Sequence, residues 1–481
     1  MKKFIAGAII AVAIIAIAAP ISMGFVIPRV FNADNINAEI AKYGGGAAPF
    51  KVRTDSYERS LFGARKVVAI QFLEHETDIL VAESDLSFGW YLSDVFPFAS
   101  LIKSKDRIRF SDEFIAELSK EPDFAAAFSD GVFLEGESIF TPFVSGSGRY
   151  ASKEIDFSPE PGKLIAVKPL TIHVSTRGVS DLRFLMELPR FAIADSSEFF
   201  ELTIEEIGLK FDGDARNYAK DASAEFSIKK IEGGIEGGKF NVDNFVIASA
   251  QKVRGNLIDS ESVISFDAID VAGATSGLLD AISLRKPRLS LAAIGADAKL
   301  TADLQERLND IQARQAQNPM AVMEVVNLIP DLVAIFDKGA VISVSADGVF
   351  NDGSNSFYLS LKTDPQIATP KFSLENQYFN ELSGKLIIDA NLSVHQATLT
   401  ALGVAPHQSA TLSETGFIRH EGDTWTLDAH FLKNQWTLNG RPAPFQGLAP
   451  GSSGATEPDY YEEDFDEEDY DDDEEFDDSE G

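Results

Sequence analysis

Residues Phe4–Ile27 read FIAGAIIAVAIIAIAAPISMGFVI, twenty-four positions without a charge, set directly behind Lys2 and Lys3. As a helix rising about 1.5 Å per residue, this run crosses the roughly 30 Å hydrocarbon layer with some tilt. A chain that starts this way must fold the rest of its length on one side of a membrane. Cations before the apolar run stay on the cytoplasmic side, so the bulk of the chain is expected outside the cytoplasm. The competing reading is a cleaved signal peptide. Ala16, Ala18 and Ala19 supply small residues for a cut, but Pro20 follows at once and the apolar run continues to Ile27. The expectation is an uncleaved anchor.

There is no cysteine in the 481 residues, which removes a disulfide framework, a thiolate nucleophile and a Cys-ligated metal together. The body must be held by its core alone. A net charge of −33 sets the chain against nucleic acid as a partner.

Beyond the anchor, Phe31, Ile36, Ile40 and Tyr43 keep helical spacing until Gly44–Gly46. Strand signals then dominate: Ala64–Phe72, Ile79–Trp90, Val132–Phe143 and Lys163–Ser175 are rich in β-branched and aromatic residues. In Ala222–Lys229, Ala222, Ala224, Phe226 and Ile228 alternate with polar residues, which predicts one dry and one wet face, as in antiparallel sheets. The alternation slips by one residue between Leu202/Ile204 and Ile207/Leu209/Phe211, predicting a bulge or strand break near Glu205-Glu206. Gly233-Gly234 and Gly237-Gly238 read as turns between hairpins.

The period changes at Leu300–Asp337. Leu300, Leu304, Leu308 and Ile311 mark one helix, Asn318-Pro319 breaks it, and Pro330 kinks or restarts a second, apolar one. Strands resume at Ala340–Val349, Ser356–Lys362 and Lys385–Val394. A short helix is expected at His395–Leu402, and two or three final strands over Thr415–Leu438 before an Asn439-Gly440 turn. The expected fold is mainly β with a helical insert (α+β). Its parts are an N-terminal transmembrane helix (1–28), a β-rich portion (29–298), a helix pair (299–338), a second β-rich portion (339–445), and a linker with a disordered acidic tail (446–481).

This order of elements resembles the YdgA-like family, bacterial proteins of unknown function with a membrane anchor and a large periplasmic part. Three places carry the resemblance: Tyr57-Glu58-Arg59-Ser60-Leu61-Phe62-Gly63-Ala64 leading into a strand; Leu328-Ile329-Pro330-Asp331-Leu332 followed by Lys338-Gly339 and the strand Val341–Val344; and Thr437-Leu438-Asn439-Gly440 near the end of the body. Where that family often shows His-Gly-Pro before Phe, this chain reads Asp94-Val95-Phe96-Pro97-Phe98, so no role for that His carries over. The resemblance implies an inner-membrane anchor with the bulk of the chain periplasmic, and brings no activity.

Candidate chemistry is sparse. The histidines are His75, His173, His395, His407, His420 and His430, without a HExxH pair. His420 and His430 flank a hairpin and read as a cross-strand polar pair rather than a metal site. Glu74-His75-Glu76 reads as an exposed turn. Val144-Ser145-Gly146-Ser147-Gly148 is a broken match to a nucleophile elbow and reads as a turn. Ile231–Gly238 lacks the Lys-Ser/Thr of a phosphate loop. Asp347-Gly348 and Asn351-Asp352-Gly353 read as hairpin turns without the spaced acids of a calcium loop. No catalytic, cofactor-binding or metal-binding residue is assigned, and no cofactor is expected.

The thirty-six Phe against three Trp fit a large aromatic core, or an apolar groove for acyl chains. The leading expectation is therefore a non-enzymatic envelope protein binding lipid or another hydrophobic ligand along a cleft. A protein-binding envelope scaffold and an envelope hydrolase without a recognisable motif are the alternatives. Glu457–Gly481 holds seventeen Asp or Glu with no Lys or Arg, interleaved with Tyr460, Tyr461, Phe465, Tyr470 and Phe476. Such a segment is expected to be disordered, acting as a solubilising brush or binding a basic protein partner.

Overall fold

The structure is a computed structural model. It describes residues 50–446, apart from breaks at 60–62, 73–76, 92–99, 119–130, 141–144, 159–160, 178–180, 198, 215–219, 236–237, 274–280, 316–318, 351, 374–375, 402–403 and 405–415, and outside that span only Ala33 and Asn37. Phe4–Ile27, most of the Phe31–Tyr43 pattern and the acidic tail therefore lie outside the described residues. Among the described residues no helix is long and apolar enough to cross a membrane.

The expectation of a mainly β, antiparallel protein with few helices holds. The first strands are β1 (Phe50–Arg59), β2 (Gly63–Phe72), β3 (Thr77–Tyr91), β4 (Ser100–Phe110), β5 (Val132–Phe140), β6 (Gly146–Ser152), β7 (Ile155–Phe157), β8 (Lys163–Val167) and β9 (Thr171–Arg177). Long strands follow: β10 (Asp181–Asp195), β11 (Phe200–Asp214), β12 (Ala222–Ile235), β13 (Gly238–Arg254), β14 (Leu257–Ser265), β15 (Ala268–Ala272) and β16 (Ala281–Asp297). The last are β17 (Val341–Phe350), β18 (Gly353–Thr363), β19 (Leu386–His395), β20 (Arg419–Glu421), β21 (Thr424–Leu432), β22 (Gln435–Leu438) and β23 (Arg441–Gln446). All belong to one antiparallel sheet. Pairing runs almost in chain order, with β6 joined to β10 through β9. The short β8 and β9 share one edge of β10 end to end, and β14 with β15 bridge β13 to β16 in the same way.

Directly opposed residues of an antiparallel pair point to the same face. On one face this aligns Glu58, Arg65, Asp85, Lys105, Glu137 and Arg149 across β1–β6, alternating in sign at each strand. Exposed pairs of this kind add little stability each. On the other face the same strands bury Val52, Ile70, Leu80, Ala82, Ile108 and Leu134 in one cluster with Ile172, Val174, Phe184 and Met186 of β9 and β10. Phe114 of helix α1 (Asp112–Leu118) packs against that cluster.

A transverse crease crosses the middle strands. Pro189, Glu206, Lys229 and Asn244 are skipped one for one in the registers of β10 to β13, and the crease continues through Lys286-Pro287 of β16. Glu206, Asn244 and Lys286 have φ of 50°, 50° and 48°. The predicted slip near Glu205-Glu206 is therefore real but is neither a bulge nor a strand break. Neighbouring strands change phase together, so Ile204 and Ile207 both stay on the apolar face. The same line divides Lys163–Ser175, expected as one strand, into β8 and β9 around Pro169, which has no N–H for the ladder.

Several glycine turns prove to be strand positions. Gly233-Gly234 lies inside β12 because the Phe240 ring of β13 occupies the space above Gly233. Asp347-Gly348 lies inside β17, where Gly348 lets the Pro287 backbone approach; a Cβ there would sit 3.1 Å from the Pro287 Cα. Gly146-Ser147-Gly148 forms β6 rather than a turn, and Gly148 with Gly136 of β5 make room for the Tyr150 ring. The Asn439-Gly440 turn is present, with φ of 48° and 78° between β22 and β23.

The helical insert joins β16 to β17 as α2 (Ala298–Gln315), a 3-10 segment (Pro319–Leu328) and α3 (Ile329–Asp337). Pro330 sits in the first turn of α3, as a restart requires. The expected second helix thus opens in the tighter 3-10 form. Its β-branched valines are weaker helix formers, and the Pro330 ring disfavours an α-turn just before it. Leu304, Ile311, Leu328 and Ile335 close over Ala296 and Ala340 at the strand ends. Two further helices, α4 (Asn376–Lys385) and α5 (Gln396–Ala401), flank β19; α5 matches the helix expected at His395–Leu402. Buried Lys385 reaches Asp337 at 2.6 Å and ties α3 to the start of β19. Burial alone would raise the Asp337 carboxyl, but hydrogen bonds from Lys385 and Thr369 outweigh it and hold the group below its usual range.

Lys66 and Asp106 are charged residues on the inner face of the buried region, with Ser84 between them in register. The Asp106 carboxylate accepts hydrogen bonds from Ser104 (2.6 Å), Tyr150 (3.0 Å) and Ser138 (3.3 Å). Burial still pushes its pKa up, and burial lowers that of Lys66. A carboxyl that holds its proton longer when folded contributes stability at low pH that is lost as pH rises through its raised pKa; Lys66 has the opposite sign.

Two outcomes follow. Gly136→Ala would drive a Cβ into the Tyr150 ring and the Arg149 carbonyl, and should cost roughly 1–3 kcal/mol in urea unfolding; an unchanged midpoint would show that this contact relaxes freely. For Asp106→Asn, the stability advantage of the wild type over the variant should shrink as pH rises above roughly 4, where the unfolded carboxyl begins to ionise while the folded one still holds its proton. A flat difference would mean that Asp106 ionises as easily folded as unfolded.

Candidate ligand-binding face

The register continues the inner face across the whole sheet. One row runs Tyr150, Ile172, Met186, Leu209, Phe226, Ile247, Ile264, Leu289, Ala346, Phe357, Leu392 and Leu427, from β6 to β21. The next row holds Leu291, Val344, Leu359, Ala390, Ala429 and Leu438. Among the described residues, the face carries no Asp, Glu, Lys or Arg from β11 to β21. The charges of these strands sit on the opposite face, where Lys210 meets Glu225 at 2.8 Å and Arg183 meets Asp212 at 3.0 Å.

Exposure along this face changes from one end to the other. Ile172 is fully buried at 0%, whereas Leu289 and Leu291 of β16 stand 46% and 52% exposed. Ile247, Ile264 and Leu392 are exposed as well, and burial returns at Trp425 and Phe431 of β21. The result is an open apolar strip, or trough, between two buried ends. Near the crease it is aromatic: Phe245 stacks on Phe266 at 4.9 Å and meets Phe226 edge-on at 6.0 Å. Phe431 and Trp436, 4.9 Å apart, close the far end. With no charge among the described residues of this stretch to aim at a headgroup, dispersion and water release are the main forces it offers a ligand.

The polar candidates do not converge. His420 stacks on Trp425 at 4.1 Å, and His430 Nδ1 pairs with Asp389 at 2.6 Å. The expected His420–His430 pair is thus absent, because β20 sets His420 opposite Trp425 and β19 supplies the partner of His430. His395 Nδ1 accepts the Ala397 N–H and starts α5, and His173 faces Arg149 on the charged side. Glu74-His75-Glu76, His407 and Asp94–Phe98 lie outside the described residues. Among the described residues, no group of three His, Asp or Glu is placed to hold a metal ion. A depression of about 390 Å³ at the strand ends is lined by Asp181, Asp214, Lys220, Asp221 and Val253. It is not part of the trough, and its charges are engaged: Lys220 pairs with Asp214 at 2.5 Å and Asp221 accepts the Val253 N–H at 2.7 Å.

Both rims of the sheet are guarded. The Asn37 side chain donates to the Val52 carbonyl and accepts its N–H at 2.8 and 2.7 Å, in the manner of a neighbouring strand. At the far rim β23 contains Pro442 and Pro444, which have no N–H to offer. Alternation and Phe abundance point to an apolar face from sequence; which residues would share a row, and where the face opens, needed the register.

No curated protein and no solved structure matches the chain. A family model does match, over residues 1–446. The chain belongs to a family of bacterial proteins of unknown function, DUF945.

Proposed function

We propose that the protein binds the acyl chains of a lipid along the trough and acts as a carrier rather than a catalyst. The observation that carries this reading is the charge-free face from β11 to β21, left half-exposed at Leu289 and Leu291. A sheet with one apolar face ordinarily buries it against a second layer. Here Ile247, Ile264, Leu289, Leu291 and Leu392 remain exposed, so no layer seals this stretch. A hydrolase needs polar groups converging on an accessible point; among the described residues, those around Asp106 are sealed among core side chains, and in the depression at the strand ends Lys220 is spent on Asp214 and Asp221 on the Val253 N–H. A scaffold recruiting partners by strand addition is disfavoured by the guarded rims. The same reading takes Phe4–Ile27 as a YdgA-like anchor in the inner membrane, with the β body in the periplasm beside its lipid source.

Native mass spectrometry of the full chain released from mild detergent tests this. The wild type should retain lipid, and Leu289→Asp with Leu291→Asp should weaken retention roughly tenfold or more, since each leucine loses about 1 kcal/mol of apolar contact. A wild type always free of lipid, or equal retention by the variant, would overturn the proposal.

A further inference from the structure

We infer that the 3-10 segment and α3 form a bilayer-docking element through which acyl chains reach the trough; this rests on the lipid-binding reading above. In a 3-10 turn residues three apart eclipse one another. Met323 and Val326 have that spacing, and two further steps of three lead through Ile329 to Leu332 in α3. Met323 is 64% exposed, and Val326 and Leu332 are exposed too, while Leu328, Val333 and Ile335 point into the core. The insert therefore has two apolar sides, one packed and one facing outward. Ten residues is long for a 3-10 run, which generally gives way to an α-helix after a turn.

The outward stripe suits a bilayer rather than a charged partner. Glu324 is the one ionisable residue of the 3-10 segment, and Arg314 neutralises it through two hydrogen bonds of 2.8 Å. What remains exposed is thioether and aliphatic carbon, the surface that amphipathic elements bury at the boundary of headgroups and acyl chains. Position supplies the link to the trough. The insert grows from the end of β16, the strand that carries Leu289 and Leu291. From Leu291 to Asp297 the strand covers only about 20 Å. A chain leaving a bilayer at the insert thus passes onto the trough with little exposure to water. Residues 28–36 join the apolar N-terminal run to Asn37, which is held on β1, and reach at most about 30 Å when extended, which keeps the body close to the same membrane.

The test uses the full chain and a fluorescent phospholipid supplied in two ways: in phosphatidylcholine vesicles, and in detergent micelles. Met323→Asp with Val326→Asp should slow uptake from vesicles tenfold or more and leave loading from micelles unchanged. Uptake from vesicles at the wild-type rate would overturn the docking element while leaving the trough intact. Loss of loading from both sources, with an unchanged unfolding midpoint, would also overturn it by making these residues part of the trough itself. If the midpoint falls, the milder Met323→Gln with Val326→Thr repeats the comparison under the same criteria. A wild type that loads from neither source would sink the lipid-binding reading first.

Discussion

Everything in this molecule depends on the backbone ladder holding a single register from one rim of the sheet to the other. Each antiparallel pair places opposed residues on the same face, so an apolar residue in one strand is useful only if its neighbours present apolar residues at the matching positions. The row from Ile172 to Leu427 meets that condition strand after strand. A slip of one residue in any strand would turn its share of the row outward and bring charges in. Alternating charges on the outer face, from Glu58 to Arg149, add weakly favourable pairs along the same register.

The same ladder explains how the face is closed in one place and open in another. At β1–β6 the inner side chains are buried with Phe184 and Met186 of β10, and the core is dense enough to enclose Asp106 with its hydroxyl donors. Across β10–β16 the strands are longer, the crease at Glu206 and Asn244 crosses them, and the face carries Ile247, Ile264, Leu289 and Leu291 exposed. Left-handed backbone at non-glycine residues costs of order 1 kcal/mol each. It is tolerated here because adjacent strands change phase together and keep the apolar side chains aligned on either side of the crease.

The helical insert belongs to the same arrangement. It interrupts the meander between β16 and β17 without interrupting the sheet, since those two strands pair directly. Its inner side packs on Ala296 and Ala340, and the Lys385–Asp337 pair fixes its far end to β19. The position most exposed in the trough and the element most exposed on the insert are thereby joined through one strand end.

Composition and period were enough to establish a mainly β protein with a helical insert between Leu300 and Asp337. Period two and period 3.6 are local properties, set by the direction of each Cβ along the backbone. The slip between Ile204 and Ile207 was visible for the same reason. The role of several glycines was not. Gly148, Gly233 and Gly348 read as turns because a missing side chain usually signals a backbone reversal. Only the neighbouring strand shows that Tyr150, Phe240 and Pro287 occupy the space each leaves. Nor does any local pattern tell His420 that its neighbour is Trp425 or His430 that its partner is Asp389. The sequence by itself determined which residues are apolar and at what period. Strand pairing across tens to hundreds of residues decided which of them share a face and which part of that face stays open, because register is a relation between segments rather than a property of either one.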